Sequence, residues 1–493
     1  DKSQTQSLLR GNEYGFTQRV VYSKELNSGD YFSTQNAFAH NHQTSKDFNI
    51  YQLDYLQGTG MNDFRNRYNL SPSHDNGFSS YNEYTMNLKC GLSMLFNYDF
   101  WWEQKHKEQE RYRLDQVSGW TADQALGMLP STREHLLQGL DRGNSYTEDR
   151  HTISNRPKFT LSYGKERDGN QNKVKLILPV NIVYEHEHYQ RNQLDTSYVR
   201  RSVLPEARVN YEWKRNKEQD GKRRFEKSLQ LTYDLTNRQP DIQSLLNIRD
   251  DYDPQRITLG GNQLKHQQDH KLSAHFERTK YTMRWEEITR QAFDVEYRRQ
   301  QNAIATGYTY NPTTGVYTYQ PINVHGGYTW SNGLNYSRNL DKKNRWSVQS
   351  NATSSLHHSL DHTMFTGEAE SHLNAVNTLT VGEKAYIQYN KDALNLRATG
   401  SISWRHSEGK MVDFETLDAF DYQYGLNGYY TIPKLKTTLS VDATMYSRRG
   451  YGSSELNTDD FVLNASLSQP FLKGKLIARI EAFDLLHQLS NTQ

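Results

Sequence analysis

The segment from Lys434 to Leu486 repeats with a period of two residues. Leu439, Val441, Ala443 and Met445 interleave with Thr438, Ser440, Asp442 and Thr444. Beyond Tyr451-Gly452-Ser453-Ser454-Glu455-Leu456-Asn457-Thr458, the pattern resumes as Phe461, Leu463, Ala465 and Leu467 against Val462, Asn464, Ser466 and Ser468. A tight turn, Leu472-Lys473-Gly474, then leads into Leu476–Leu486. Successive side chains of a strand point to opposite faces, so each of these strands has one oily and one wet face. The constraint recurs along the chain. Phe225, Lys227, Leu229, Leu231, Tyr233 and Leu235 oppose Glu226, Ser228, Gln230, Thr232 and Asp234. Leu394, Leu396, Ala398, Gly400, Ile402 and Trp404 oppose Asn395, Arg397, Thr399, Ser401, Ser403 and Arg405. Val174, Leu176, Leu178, Val180, Ile182 and Tyr184 form a third such face, and no comparable stretch has a helical period.

The connections sort into two kinds. Short ones fall at Asn27-Ser28-Gly29, Arg167–Asn172, Glu218–Gly221, Asp341–Asn344, Asn390–Asp392, Pro433-Lys434 and Leu472–Gly474. Longer polar ones fall at Gly58–Gly77, Asp115–Thr147, Asp195–Ser202, Gln239–Gln255, Thr366–His372, Glu408–Leu417 and Arg449–Asp459. Long and short alternate, which is the plan of an up-and-down membrane barrel with short periplasmic turns and long extracellular loops. Greek-key crossovers of a soluble sandwich would break that rhythm. About 18 strand candidates result, within the range of such barrels. No turn residue marks the reversals near Cys90 and Tyr281.

Composition decides between a barrel and the alternatives. A chain of 493 residues with 34% hydrophobic content lacks the apolar runs that large soluble cores need. Disorder is disfavoured by 34 Tyr, 18 Phe and 8 Trp. A barrel with a wet interior needs apolar residues only at alternate positions within the bilayer band. The most apolar stretch, Val174–Tyr184, is too short and polar for a membrane helix. In lipid only a barrel would then satisfy the backbone. Candidates such as Lys173–Leu194 exceed the roughly 9–11 residues of a spanning strand. The barrel is therefore expected to project into water on the long-loop side. Asp1-Lys2-Ser3-Gln4 carries no basic-then-apolar signal, so the chain is expected to be a mature product or a fragment.

Chemistry is sparse. Lys+Arg 59 against Asp+Glu 57 gives a formal charge of +2 and no support for nucleic-acid binding. The single cysteine, Cys90, excludes an intrachain disulfide and a thiolate metal site. In Glu185-His186-Glu187-His188 the two histidines share one strand face and the glutamates the other, and two ligands do not complete a metal site. His357, His358 and His362 are read the same way. Asp250, Asp251 and Asp253 lack the glycine and terminal glutamate of a calcium loop. No nucleophile elbow or phosphate loop occurs, so no enzyme, metal or cofactor is expected. In Thr306–Gln320, a loop at Asn311–Val316 sets Tyr310 against Tyr317 and Tyr308 against Tyr319. An aromatic ladder that holds a hairpin is favoured there over a sugar-stacking site. Phe96, Tyr98, Phe100 and Trp102 share one face, which suits an interfacial aromatic girdle.

Several segments are family-like: Arg111-Tyr112-Arg113-Leu114-Asp115; Gln239-Pro240 with Leu245-Leu246; Arg249-Asp250-Asp251-Tyr252-Asp253-Pro254; and Ile257-Thr258-Leu259-Gly260-Gly261-Asn262-Gln263-Leu264-Lys265. So are Gln301-Asn302-Ala303-Ile304-Ala305, Met445-Tyr446-Ser447-Arg448-Arg449-Gly450-Tyr451, Leu472-Lys473-Gly474-Lys475-Leu476 and Phe483-Asp484-Leu485-Leu486. In these the chain resembles the barrel part of a TonB-dependent outer-membrane receptor of the type abundant in Bacteroidota. The family usually has Asn-Pro where this chain has Gly261-Asn262-Gln263 before the Leu-Lys pair. The resemblance implies a barrel of about 22 strands. Residues 1–493 would form one outer-membrane β-barrel domain, incomplete at both ends, with no plug domain. It implies import of a glycan, peptide or metal chelate. Partners would be outer-membrane lipid, the TonB energy-coupling complex acting through a plug and TonB box absent from this chain, and a surface lipoprotein. Within the longest loop Trp120 and Tyr146, and in the next long loop Asp250 and Asp251, are the expected ligand contacts. A passive channel or adhesion barrel, and a soluble all-β binding protein, are the competing readings.

Overall fold

The computed structural model describes residues 2–488 except 27–28, 55–62, 121–125, 168, 192, 220–222, 254, 262, 283–286, 366–367, 369–371, 411–414 and 473–474. The described chain is almost entirely strand. It begins with β1 (Lys2–Glu25), β2 (Tyr31–Asp54), β3 (Asp63–Asn87), β4 (Leu92–Arg113), β5 (Tyr146–Arg167) and β6 (Asn170–Arg191). β7 (Leu194–Pro205) and β8 (Ala207–Gln219) follow, then β9 (Arg223–Arg238). Two small hairpins come next to larger strands: β10 (Arg249–Asp253) with β11 (Arg256–Leu259), then β12 (Gln267–Thr282), β13 (Glu287–Gln301), and β14 (Ala303–Asn311) with β15 (Val316–Val324). The last stretch holds β16 (Tyr328–Asn339), β17 (Trp346–Phe365), β18 (His372–Lys391), β19 (Leu394–Gly409), β20 (Leu417–Thr431), β21 (Thr438–Arg449), β22 (Asp459–Phe471) and β23 (Leu476–Ala482).

Successive large strands pair antiparallel with their neighbours. β7 and β8 are one strand in effect, since Pro205 opposite Val180 and Arg208 opposite Ile177 keep a single register on β6. Pro179 has no N–H to donate, and the Glu206 N–H donates to its carbonyl at 2.9 Å. β9 pairs directly with β12, and β13 directly with β16, so the two hairpins stand off the wall. That leaves eighteen wall strands among the described residues. The fold is all-β, one large and mainly antiparallel up-and-down sheet. β1 and β23 share no ladder among the described residues.

Register turns the alternation of single strands into two continuous faces. Leu229, Phe276, Phe293, Leu334 and Ala352 are direct partners in one row across five strands. Leu396, Gly428, Val441, Ala465 and Ala482 form another. The large apolar side chains of these rows stand exposed, Leu334 and Leu396 by 49% each. The opposite face of the same strands carries Asn427, Asp442 and Asn464 as direct partners, with Tyr429, Ser440 and Ser466 alongside. A large apolar face left outward is stable only against an apolar surrounding.

The chain departs from the sequence expectations in three places. Residues 63–77 were expected in a loop and belong to β3, and 195–202 belong to β7. β2, β3 and β4 are 24, 25 and 22 residues long, so the strands do run well past a bilayer's thickness. In that projecting part polar residues stand on both faces, and polarity no longer distinguishes strand from loop. The hairpins also introduce parallel pairs: β11 with β15 and β14 with β17, three residues each. A hairpin rising beside an ascending wall strand must run parallel to it on one side. At the unmarked reversal near Cys90, Cys90 and Gly91 take φ of 64° and 80°, so the turn lies there in left-handed backbone. A Cβ on Gly91 would lie 2.1 Å from the Gly164 carbonyl oxygen.

The turns expected at 27–29, 218–221 and 472–474, the reversal after Tyr281, and the loops at 366–372 and 408–417 lie wholly or partly outside the described residues, as do Asn262 and 490–493. The strands flanking each of these connections are nonetheless antiparallel partners. Among the described residues no helix is long and apolar enough to cross a membrane, which says nothing of a β-barrel.

Candidate functional site

Beyond the apolar rows, on the long-loop side, the polar face becomes densely charged. Lys105, Arg150, Glu187 and Tyr198 are direct partners in one row across β4 to β7. The next row outward is Lys107, Glu148, Tyr189 and Thr196. Arg150 Nε donates to Glu187 Oε2 at 2.7 Å, and its Nη2 lies 3.0 Å from Glu148 Oε1 and 3.5 Å from Asp241 Oδ1. Glu187 is completely buried, and among the described residues its Oε1 has no hydrogen-bond partner. Two buried carboxylates thus share one guanidinium. Burial pushes the Glu187 carboxyl up to about 7; Glu148 pushes the same way, while Arg150 pulls it down. Burial alone would lower the Arg150 pKa, but the bond to Glu187 and the charges of Glu148 and Asp241 raise it, so Arg150 stays charged.

The connection 239–266 folds across this cluster. Asp241 caps its short 3-10 turn by accepting from the Gln243 N–H at 3.1 Å, and the Gln243 amide donates to Glu148. Arg200 holds the same segment from β7, donating from Nη1 to the Pro240 carbonyl at 2.8 Å and from Nε to Glu185 at 2.7 Å. Ile242 and Leu246 are buried beneath. Gly260 is packed so closely that a Cβ would meet the Leu246 carbonyl oxygen at 2.2 Å. Arg111 then pins β10, with Nη1 at 2.9 Å from both oxygens of Asp250. Tyr146 stacks on buried Tyr189 at 5.2 Å between ring centroids, and the Lys107 ammonium lies 5.6 Å from the Tyr146 ring. Burial pushes the Tyr189 hydroxyl up to about 12.

Of the four expected contact residues, the structure brings two together. Tyr146 and Asp250 both belong to this charged cluster. Asp251, the next strand position, turns to the other face and pairs with Arg249 at 3.3 Å. Trp120 packs instead against Phe48, Tyr68, Tyr112, Leu114 and Val117, an apolar cluster on the opposite face of β2 to β4. The loop carrying it is anchored by Asp115, which accepts from Arg67 and from the Asn66 N–H at 3.1 Å, and by Asp141, which accepts from Arg113 Nε at 2.8 Å. The residues missed from sequence are Glu148, Arg150, Glu187 and Arg111. The one signal was that Glu185 and Glu187 face away from His186 and His188; their partners come from β5 and β7.

The tyrosine hairpin has the expected register, with Tyr308 opposite Tyr319 and Tyr310 opposite Tyr317. The Tyr310 and Tyr317 centroids are 4.6 Å apart, and the Arg256 guanidinium lies 4.9 Å from the Tyr319 ring. On β4, Phe96, Tyr98, Phe100 and Trp102 lie on the apolar face, with Phe96 5.2 Å from Phe159.

No family model and no curated protein matches the chain. Among solved structures it is similar to the copper transporter OprC, at 8% identity over 97% of this chain and 76% of that one, with a TM-score of 0.38. It is similar to a ferric enterobactin receptor variant from Pseudomonas aeruginosa, at 11% identity over 95% and 68%, TM-score 0.36. It is also similar to the outer membrane transporter YddB from Escherichia coli, at 7% identity over 97% and 72%, TM-score 0.36. At these values the likeness is loose.

Proposed function

We propose that the chain is the barrel wall of a TonB-dependent outer-membrane receptor that imports a ligand, and is not an enzyme. The observation that carries this reading is the division of one sheet into an exposed apolar face and a polar face. At the long-loop end, a loop folds across the polar face onto a buried charged cluster. In a bilayer the apolar rows meet lipid, and the polar face lines the lumen. The loop 239–266, held by Arg111, Arg150 and Arg200, then narrows the extracellular mouth, where Tyr146 and Asp250 stand. Energy from the inner membrane would arrive through a plug and TonB box outside this chain. Outer-membrane lipid and a surface lipoprotein would be its other partners. The ligand class is a glycan, a peptide or a metal chelate, and the charged rim suits a polar molecule.

Two measurements test the reading. Cell fractionation should place the protein in the outer membrane, extractable only with detergent and with heat-modifiable mobility on gels. Uptake of the ligand should vanish when the inner-membrane energy coupler is deleted. A folded monomer in plain buffer overturns the membrane reading, and uptake that survives loss of the coupler leaves a passive channel.

A further inference from the structure

On three neighbouring strands the apolar face stops at one level, near the short turns, and gives way to cations. Along β8 it reads Val209, Tyr211 and Trp213, then Arg215 and Lys217. Along β12 it reads Leu272, Ala274 and Phe276, then Arg278 and Lys280. Between them, β9 reads Leu231 and Leu229, then Lys227 and Phe225. Trp213, Leu229 and Phe276 are direct partners in the last apolar row. Arg215, Lys227 and Arg278 form the next row, and Lys217, Phe225 and Lys280 the one after. Neither cationic row runs into a carboxylate: the first continues as Gln291 and Tyr336, the second as Thr289 and Arg338. The polar face of the same strands pairs its cations, Lys214 with Glu226 at 2.6 Å and Arg290 with Glu277 at 2.8 Å. Arg215, Lys217, Lys227 and Arg278 are exposed and, among the described residues, in no ion pair. The Phe225 ring holds two of the cations, with the Arg278 guanidinium 5.3 Å and the Lys280 ammonium 5.8 Å from its centre. On β17 to β21 the same face keeps Trp346, Tyr389, Leu394, Tyr430 and Leu439 beside the short turns, so the cations form one sector of the wall.

We propose that this sector binds the phosphate groups of anionic phospholipids in the leaflet on the short-turn side. The proposal rests on the membrane reading of the wall. Two residues of a strand rise about 7 Å, so the first cationic row begins about that far along the strands from the last apolar row. That is where a bilayer's hydrocarbon gives way to its headgroups. Arginine and lysine lay their apolar stems along such a boundary and send their charged ends into the headgroups. A phospholipid matches both levels at once. Its acyl chains lie on Trp213, Leu229 and Phe276, and its phosphate meets Arg215, Lys227 and Arg278. A soluble anion would leave the adjoining apolar row uncovered. A zwitterionic lipid brings its own cation to a sector that already holds Arg215, Lys217, Lys227, Arg278 and Lys280, whereas an anionic lipid neutralises it. Each strand alone shows at most two cations at its end; the antiparallel register gathers them.

The test is native mass spectrometry of the full chain in dodecyl maltoside with equal amounts of phosphatidylglycerol and phosphatidylcholine added. The parent should retain phosphatidylglycerol about tenfold more often than phosphatidylcholine. The R215Q/K227Q/R278Q variant should bring the two lipids close to parity. K391Q, which removes an exposed cation from the end of β18, should keep the parent's preference. Heat-modifiable gel mobility establishes that each variant is folded. If the triple variant does not fold, R215Q/K227Q must at least halve the preference. A parent without preference, or a preference that survives in the folded row variants, overturns the lipid site while the chain still inserts into vesicles. A parent that self-associates through these cations, seen as a dimer by light scattering that the row variants dissolve, assigns the sector to a second copy and overturns it equally. A chain that stays folded in buffer without detergent removes the membrane reading, and the lipid site with it.

Discussion

A lysine at position 441 tests the two-faced wall most directly. Val441 is the fourth residue of β21, lies between Gly428 and Ala465 in an apolar row, and is 41% exposed. Its neighbour Ser440 lies between Tyr429 and Ser466 on the polar face. A lysine on the lipid face of a barrel costs about 2–4 kcal/mol at the midplane, falling to about 0–1 kcal/mol near the interfaces. Val441 is two residues nearer the short turn than Ala443, so Val441→Lys should cost about 2 kcal/mol and Ala443→Lys more. About 2 kcal/mol is roughly a 30-fold shift in the folding equilibrium. Ser440→Lys keeps its charge in water and should stay within about 0.5 kcal/mol of the parent. The assay is folding from urea into phospholipid vesicles, followed by tryptophan fluorescence and gel mobility. Equal losses at 440 and 441, or no increase from 441 to 443, would refute the assignment of faces.

Three further outcomes follow from the charged cluster and the turns. Arg150→Met leaves Glu148 and Glu187 buried without their cation, and breaking a buried ion pair this way costs about 3–5 kcal/mol, readable in the urea midpoint. The Glu187 carboxyl titrates at about 7 in the fold against an ordinary 4.5, so the folded chain holds that proton more tightly than the unfolded one. Its contribution is complete below pH 4.5, declines as pH rises to about 7 and is flat above, so Glu187→Gln should flatten the urea midpoint between pH 5 and 7. Gly91→Ala, which puts a Cβ 2.1 Å from the Gly164 carbonyl in left-handed backbone, should lower folding yield, whereas Gly29→Ala, with nothing within 4 Å of the added carbon, should cost only the φ strain.

Much of the wall was legible because a bilayer-facing strand must alternate. The faces read at Leu439–Met445, Phe225–Leu235 and Val174–Tyr184 all recur in the ladders, and the tyrosine register around Asn311–Val316 needed only the loop's length. Legibility fails where that constraint stops. At 63–77 and 195–202 polar residues stand on both faces, so they serve strand and loop equally, and only the neighbouring strand and the loop folded over it decide. Trp120 shows a related limit: a large aromatic in a long polar loop reads as a contact residue, and its packing is not legible there. The loop's own need for a core claims it, against Tyr68 and Tyr112.

The charged cluster sharpens this point, because its parts are individually unremarkable. Glu187 reads as half of a histidine–glutamate alternation, Arg150 as one polar residue of β5, and Gln243 as loop. Antiparallel pairing places Arg150 opposite Glu187, and the return of the 239–266 connection sets Asp241 and Gln243 on the same pair. Burial then makes one extra carboxylate costly, and the fold answers by holding a proton near neutral pH. A device of that kind depends on three segments separated by up to about a hundred residues. It can be read only after the register is known.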